Sequence, residues 1–227
     1  MYVRGERRVA ISDWSEWEER FVMFLSTSQG TEDAAHDGLH LRRVVANARK
    51  LAVVEGADLA VVLPAAWLHD CVIVPKDSPE RSMASRLAAQ AASEFLRDAG
   101  YPVEHIPSIR HAIEAHSFSA RITPNTLEAH VVQDADRLDA LGAVGIARTL
   151  MLGGMMGKPF YDAEEPFPIT RTADDGENVL DHFFVKLLTL SGTMQTRAGR
   201  DEAVRRTEFM RAYLVQLGEE IEMADRS

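Results

Sequence analysis

Residues 58–70 form a segment that is apolar on nearly every side and ends in the pair His69-Asp70. A helix that is apolar all round has to lie at the centre of a protein, where each of its faces is covered. Pro64 falls inside this run, and it predicts either a kink or the true start of the helix. A central helix needs other helices packed around it, so this segment constrains the fold more than any other.

The rest of the chain shows mostly helical periodicity. Trp14, Phe21 and Leu25 share one face of a predicted first helix, behind a capping box that is formed by Asp13 and Glu16. Further helices are predicted at residues 32–55, 78–100, 102–116, 126–152, 179–191 and 196–221.

Two of these helices contain prolines that bear on their bounds. Ser78-Pro79-Glu80 is a typical helix start, with serine as the N-cap and proline in the first turn. Pro107 is expected to break the helix at 102–116. No segment shows the period-two alternation of a strand, so the sequence predicts an all-α fold.

The length of 227 residues favours one large domain, a helical bundle over residues 1–227. Its core motifs are expected within about 32–150, and its C-terminal helices within 178–222. Between them, residues 153–176 are rich in glycine, proline and acidic side chains, and they predict an irregular loop. Loops of this length are usually functional lids or disordered linkers, and the sequence leaves both open.

Composition limits the kind of protein this can be. Apolar residues make up 46% and charged residues 26%, which is typical of a globular protein. A single cysteine, Cys71, and an N-terminus without an apolar signal region predict a cytoplasmic protein, and no stretch is long enough to predict a membrane span. The formal net charge of -10 argues against a nucleic-acid partner, although a bound cation would let an acidic protein hold a small phosphate compound.

Several histidine and aspartate residues occupy positions where a core would normally carry apolar side chains. His40 lies on the inward stripe of the helix at 32–55, and Asp136 shares a helix face with small apolar residues. His69-Asp70 ends the central helix, where an ionised aspartate without a partner would be costly to bury. A divalent cation held by imidazole and carboxylate groups would remove that cost. The alternative is that each histidine is an ordinary hydrogen-bonded core residue.

Four motifs follow one another along the chain: HDGLHLRRVVANA, AAWLHDCVIVPKDSPERSMASRLAA, AIEAHSFSA and QDADRLDALGAVGIAR. Through these motifs, and through further similarity toward the C-terminus, the chain resembles the HD-domain metal-dependent phosphohydrolases, and within them the YedJ-like bacterial group. These motifs cover most of the chain from about Glu32 to Met210. The resemblance implies a single HD domain and a divalent cation bound by His40, His69, Asp70 and Asp136.

Other residues near these motifs are candidates for a part in the reaction. His36 and His116 are each a candidate general acid, phosphate contact or ligand of a second metal, and His111 is a weaker candidate. Asp134 competes with Asp136 for the fourth ligand position, but residues two apart face different sides of a helix. Candidate contacts to substrate phosphates are Arg43, Lys76, Arg81 and Lys186, the last because it interrupts an apolar helix face.

The expected reaction is hydrolysis of a phosphoester or phosphoanhydride by metal-activated water. The ligand types suit manganese, magnesium, nickel or cobalt, and they also permit zinc. The resemblance implies a nucleotide or a related small phosphate compound as substrate. Two alternatives are a catalytically weak sensor that binds nucleotide and metal, and a phosphomonoesterase or phosphodiesterase that acts on a non-nucleotide phosphate. The sequence makes no prediction of oligomeric state.

Overall fold

The computed structural model describes residues 14–28, 34–74, 78, 80–117 and 120–225. Within these residues the structure contains α-helices and short 3-10 segments at Arg81–Met83 and Leu187–Thr193, and it contains no β-strand, which confirms the all-α prediction. The helices are α1 (Trp14–Ser28), α2 (Ala34–Glu55), α3 (Leu59–Leu68), α4 (Ala84–Asp98), α5 (Ile106–His116), α6 (Leu127–Asp139), α7 (Gly142–Met155), α8 (Asp181–Val185) and α9 (Arg197–Asp225).

The chain divides into two compact units, Met1–Gln133 and Asp134–Ser227, and the boundary falls inside α6. The first unit contains α1 to α5 with the start of α6, and the second contains the remainder. Since one helix continues through the boundary, the expectation of a single domain stays a prediction.

Among the described residues, no single helix combines the length and the apolar composition that a membrane crossing needs; α6 and α7 reach that composition only as a pair, with a bend of 60° between them.

Helix α3 lies at the centre of the first unit and packs against α1, α2, α4 and α5. All of its residues from Ala60 to Leu68 are buried, as the apolar pattern predicts. Asp58 caps its first turn by accepting a hydrogen bond from the Ala60 amide at 2.9 Å. Pro64 lies inside the helix and is therefore not its first residue. The helix ends at Leu68, so His69 and Asp70 follow directly from a rigid, buried element.

Helix α2 confirms its predicted inward stripe, since Val44, Ala48 and Leu51 are all buried together with His40. It ends at Glu55, where the amides of Gly56 and Ala57 both donate to the Ala52 carbonyl. The buried stripe on α2 therefore presents His40 to the interior of the first unit.

In the second unit, α9 packs against α7 and against the 3-10 segment Leu187–Thr193. Asp134 anchors the residues that lead into α9. Its fully buried carboxylate accepts hydrogen bonds from the amides of Gln195 and Thr196 at 2.9 and 2.7 Å, and from the Thr196 hydroxyl at 2.7 Å. The start of α9 is thus fixed by a side chain from α6.

The stretch between α7 and α8 is irregular, but it begins after Met155 rather than at Gly153 as predicted. It is held by local hydrogen bonds. The Glu165 carboxylate accepts from the amides of Ile169 and Thr170, and the Arg171 guanidinium pairs with both carboxylate oxygens of Asp181. These contacts give the segment a defined conformation.

The prediction of one helix over residues 126–152 is wrong, because the chain turns between α6 and α7. Leu141 is extended and Gly142 has a φ of +73°, a left-handed conformation that glycine adopts without strain. The Arg206 side chain packs against this turn, with its Cγ 3.3 Å from where a Cβ on Gly142 would lie. The turn therefore depends on a long-range contact that helical periodicity does not show.

Three other predicted helix bounds also differ from the structure. Ser78 accepts a hydrogen bond from the Glu80 amide, and this local turn precedes the 3-10 segment Arg81–Met83, so α4 starts only at Ala84. Pro107 lies in the first turn of α5, where its missing amide costs nothing, and it does not break the helix. The helix predicted at 179–191 is short, because Lys186 has non-helical backbone angles and a 3-10 segment follows it.

Candidate metal centre

Three helices of the first unit bring histidines and an aspartate together. His69 is the C-cap of α3 and Asp70 follows it, His116 is the last residue of α5, and His40 lies on the buried face of α2. The ring centroids of His40 and His69 are 5.6 Å apart, and those of His69 and His116 are 4.8 Å apart. The structure therefore joins three predicted ligands and adds His116 to them.

Hydrogen bonds to the backbone fix which ring nitrogen faces the cluster. The Nδ1 atom of His69 lies 2.9 Å from the Ala66 carbonyl oxygen, and that of His116 lies 2.7 Å from the Ile113 carbonyl oxygen. A carbonyl oxygen can only accept, so we assign the proton to Nδ1 in both rings. In the neutral form each ring then carries its lone pair on Nε2, the atom that would coordinate a metal.

The two Nε2 atoms face the carboxylate of Asp70. His69 Nε2 lies 3.5 Å from Oδ2, and His116 Nε2 lies 3.5 Å from Oδ1. Partial burial of the Asp70 carboxylate raises its pKa, but the charge of protonated His69 and a hydrogen bond from His116, followed by the charges of His116 and His40, outweigh this and hold the pKa below its ordinary value. The carboxylate is therefore ionised beside the two rings, and in that form its oxygens are able to coordinate a divalent cation.

The donor atoms of this cluster fit a divalent cation. One ligand atom each from His69, Asp70 and His116 lies within 4.8 Å of the others. Imidazole nitrogen and carboxylate oxygen are good ligands for first-row divalent metals. A proton on either ring would also offset the charge of Asp70, but a metal would engage all three groups at once.

The two acidic residues that compete for the fourth ligand position have different surroundings. Asp134 is fully buried and uses its carboxylate to hold the start of α9, so it serves a structural purpose. Asp136 is half-buried on α6, three residues after Gln133, in the second of the two units. Because the Asp134 carboxylate is already used in these hydrogen bonds, Asp136 is the better candidate for the fourth ligand. The role of Asp136 as a ligand stays a prediction.

The remaining candidates differ in their exposure, and some of them lie outside the described part of the chain. Arg43 is half-buried on α2, three residues after His40, whereas Lys186 is exposed at the end of α8. The expectation that Lys186 interrupts an apolar helix face is therefore wrong, because the helix ends there. Lys76 lies outside the described residues, and the side chains of His36 and Arg81 also lie outside the described part of the chain.

His111, a weaker candidate, and Cys71, which follows Asp70 in the sequence, both have structural surroundings. His111 accepts a hydrogen bond through Nε2 from the Asn125 amide at 3.1 Å, so it holds the loop before α6. Cys71 is buried, and burial together with the neighbouring Asp70 raises the pKa of its thiol to about 12. The thiol is therefore protonated at neutral pH and behaves as a small buried side chain.

Two residues near the centre were not identified from the sequence. Ser85 and Gln133 are buried and donate hydrogen bonds to the carbonyls of Glu114 and Ala115, at the end of α5. Their partners lie 29 and 18 residues away along the chain, so no local pattern reveals these contacts.

Comparison with known proteins finds a matching family and a bacterial relative. The HD domain family matches residues 38–141. The uncharacterized protein YpgQ of Bacillus subtilis is 35% identical over 194 residues, which cover 84% of this chain and 86% of YpgQ.

Two solved structures resemble most of the chain. YpgQ of Bacillus subtilis in complex with ADP is 32% identical, with a TM-score of 0.68 over 90% of this chain and 95% of the other. An HD-superfamily hydrolase from Bacillus thuringiensis is also 32% identical, with a TM-score of 0.72 over 91% of this chain and 97% of the other. The similarity therefore extends well beyond the segment that carries the histidines.

Proposed function

The chain belongs to the HD domain family, and from this premise we propose that it is a metal-dependent phosphohydrolase that acts on a nucleotide or a related small phosphate compound. The observation that carries the proposal is the convergence of His69, Asp70 and His116 on one point, with both ring Nδ1 atoms tied to backbone carbonyls. The fold it shares with an HD-superfamily hydrolase supports the reaction class. The narrower YedJ-like assignment stays a prediction.

In this proposal His40, His69 and Asp70 hold the cation together with Asp136, and His116 is a further ligand at the same centre. A divalent cation supplies Lewis acidity, which lowers the pKa of a bound water and polarises a phosphoryl oxygen. The protein fixes the imidazole rings through Ala66 and Ile113, so the ligands need little rearrangement on binding. Manganese, magnesium, nickel and cobalt are the proposed ions, and zinc is compatible with the same ligands.

The proposed substrate contacts follow from position and charge. Arg43 lies one turn beyond His40 on α2, and a guanidinium there can bind phosphate oxygens through two parallel N–H groups. Lys76 and Arg81 keep their proposed role as phosphate contacts, Lys186 keeps it on its exposed positive charge alone, and His36 keeps its proposed role as a catalytic group. YpgQ, which was solved with ADP, supports a nucleotide as the ligand. We place the reaction in the cytoplasm.

Two other functions fit the same cluster. A sensor that binds nucleotide and metal without useful turnover would use the same ligands, and a phosphomonoesterase or phosphodiesterase would differ only in the substrate. Analysis of products separates the enzymes, since free phosphate, pyrophosphate and a second alcohol come from different bonds.

The test compares the wild type with Asp70→Ala and with the control Asp98→Ala, which removes an exposed carboxylate at the end of α4. Asp70 is 55% exposed, so its removal should leave the fold intact. Each protein is analysed for bound metal and assayed on a panel of nucleotides with and without added manganese. We expect metal and metal-dependent hydrolysis in the wild type and in Asp98→Ala, and neither in Asp70→Ala.

Metal in the wild type without turnover of any compound would favour the sensor. Equal metal content and equal activity in Asp70→Ala and in the wild type would contradict the proposed centre.

A further inference from the structure

The last turn of α5 ends in a set of side-chain hydrogen bonds. The final carbonyls of a helix have no partner within the helix and need one from elsewhere. Here three consecutive carbonyls are each bound by a side chain. The His116 ring Nδ1 binds Ile113 O at 2.7 Å, the Ser85 hydroxyl binds Glu114 O at 3.1 Å, and Gln133 Nε2 binds Ala115 O at 2.8 Å.

The donors of this set come from three different helices and are all buried. Ser85 on α4 is 2% exposed, Gln133 on α6 is 3% exposed, and His116 itself is 6% exposed. Water cannot easily replace a hydrogen bond at such depth, so a carbonyl that loses its donor stays unsatisfied or the helix end moves to find another. Because the His116 ring is bonded to the same turn, any movement of the turn moves the ring.

We infer that Ser85 and Gln133 are positioning residues for His116, which hold the end of α5 so that His116 Nε2 faces Asp70. This inference rests on the proposed function, in which His116 is a metal ligand. The separation of 3.5 Å between His116 Nε2 and Asp70 Oδ1 depends on where α5 ends. Metal ligands have to be held within about 0.5 Å of their working position, so a small shift of this turn is enough to weaken the centre.

His69 provides an internal reference for this inference. Its ring is bonded to Ala66 within its own helix, and the turn after α3 is closed by the backbone bond from Cys71 N to Leu68 O at 3.2 Å. Neither Ser85 nor Gln133 donates to that turn. Loss of either residue should therefore disturb the ring of His116 directly, and the ring of His69 only through its contact with His116.

The experiment uses the full chain with Ser85→Ala, Gln133→Leu and the matched control Ser93→Ala. Ser93 is also on α4, is 3% exposed, and donates to a backbone carbonyl, Ala89 O, at 2.6 Å, but it is not bonded to α5. Nitrogen NMR of the histidine rings in the metal-free protein reports the tautomer and environment of each ring. Titration with Mn²⁺ then gives the metal affinity of each variant.

We expect Ser85→Ala and Gln133→Leu to shift the ring signals of His116 more than those of His69, and to weaken Mn²⁺ binding by roughly tenfold, the lower end of the range for residues that support metal ligands. Ser93→Ala should match the wild type in both measurements.

Unchanged His116 signals and wild-type affinity in Ser85→Ala would overturn the inference, as would an equal loss in Ser93→Ala. If Gln133→Leu does not fold, the Ser85 and Ser93 pair decides the question alone. A wild type that binds no Mn²⁺ would contradict the proposed function, while the ring signals of the metal-free variants would still decide whether Ser85 and Gln133 position His116.

Discussion

The Asp70 side chain is more exposed to solvent than the histidine side chains that it faces. Its side chain is 55% exposed, whereas His69 is fully buried and His116 is 6% exposed. The imidazoles therefore lie deeper than the carboxylate, and a cation bound by all three would be open on the side of Asp70. A substrate phosphate can approach a metal only from its open side, so Asp70 marks the face from which we expect substrate to arrive.

In the second unit, the pair between Arg171 and Asp181 gives a prediction about pH. The hydrogen bonds from Arg171 hold the pKa of Asp181 below its ordinary value of about 4, although burial opposes this. A lowered native pKa adds stability above about pH 4, and that stability is lost as pH falls through the native pKa. Asp181→Asn removes the titrating carboxylate. When the pH is lowered from about 5 to about 3, the free energy of unfolding of this variant should therefore fall less than that of the wild type.

At about pH 7 we expect Asp181→Asn to lower the free energy of unfolding by roughly 2 kcal/mol. This loss of free energy lies between the losses expected for breaking an exposed ion pair and a fully buried one, because the Arg171 side chain remains 19% exposed. Denaturant unfolding at several pH values measures both effects. The control is Asp201→Asn, which breaks an exposed pair with Arg197 at 3.9 Å and should change little. If Asp181→Asn lost stability in acid as steeply as the wild type, the lowered pKa of Asp181 would be contradicted.

The residues of the site were predictable to different degrees. His69-Asp70 could be found because an ionisable pair ends a fully apolar segment, and His40 because it lies on an apolar stripe. His116 was one of several histidines in its region, and only the fold shows that its ring meets Asp70. Ser85 and Gln133 could not be found, since a buried serine or glutamine has no local signature and their partners are distant in sequence.

Within α7, two adjacent glycines give opposite predictions. A Cβ on Gly153 would lie 2.2 Å from Val179 Cγ2, whereas a Cβ on Gly154 would meet nothing within 4 Å. Gly153→Ala therefore overpacks the contact and should destabilise the protein by about 1–3 kcal/mol. Gly154→Ala should stabilise it by up to about 1 kcal/mol, because alanine loses less conformational entropy in a helix.

Thermal and denaturant unfolding of the two glycine variants, side by side with the wild type, measures these changes. Each variant controls for the other, since they add the same methyl group one residue apart on the same helix. Destabilisation of similar size in both would mean that α7 does not pack against Val179 through Gly153.

Helix bounds were predictable where local sequence sets them. α2 and α9 have long amphipathic stripes, and the ends of both lie within four residues of their predicted positions. The errors occur where tertiary contacts or single backbone angles decide, as at Gly142 between α6 and α7 and at Lys186 after α8. A periodic pattern shows which face is buried, but it does not show where a buried helix has to turn.

For the whole molecule, the net charge of -10 favours binding of cations over binding of polyanions. A divalent cation at the centre reverses the sign of the local potential near Asp70, so an anionic substrate can approach an acidic protein there. Metal binding and substrate binding should therefore be coupled. The first of these two steps can be tested without knowing the substrate.

A ligand that binds only the folded state stabilises it in proportion to the logarithm of its concentration. Mn²⁺ at about a hundred times its dissociation constant should add roughly 2.7 kcal/mol to the wild type, which corresponds to a rise of about 5–10 °C in Tm for a chain of this size. His69→Ala should show no such rise, because it lacks the ligand at the end of α3. His111→Ala, which removes a histidine that holds Asn125, should respond to Mn²⁺ as the wild type does. Thermal unfolding with Mn²⁺ and with a chelator measures the shift, and an equal rise in His69→Ala and the wild type would show that the cation binds elsewhere.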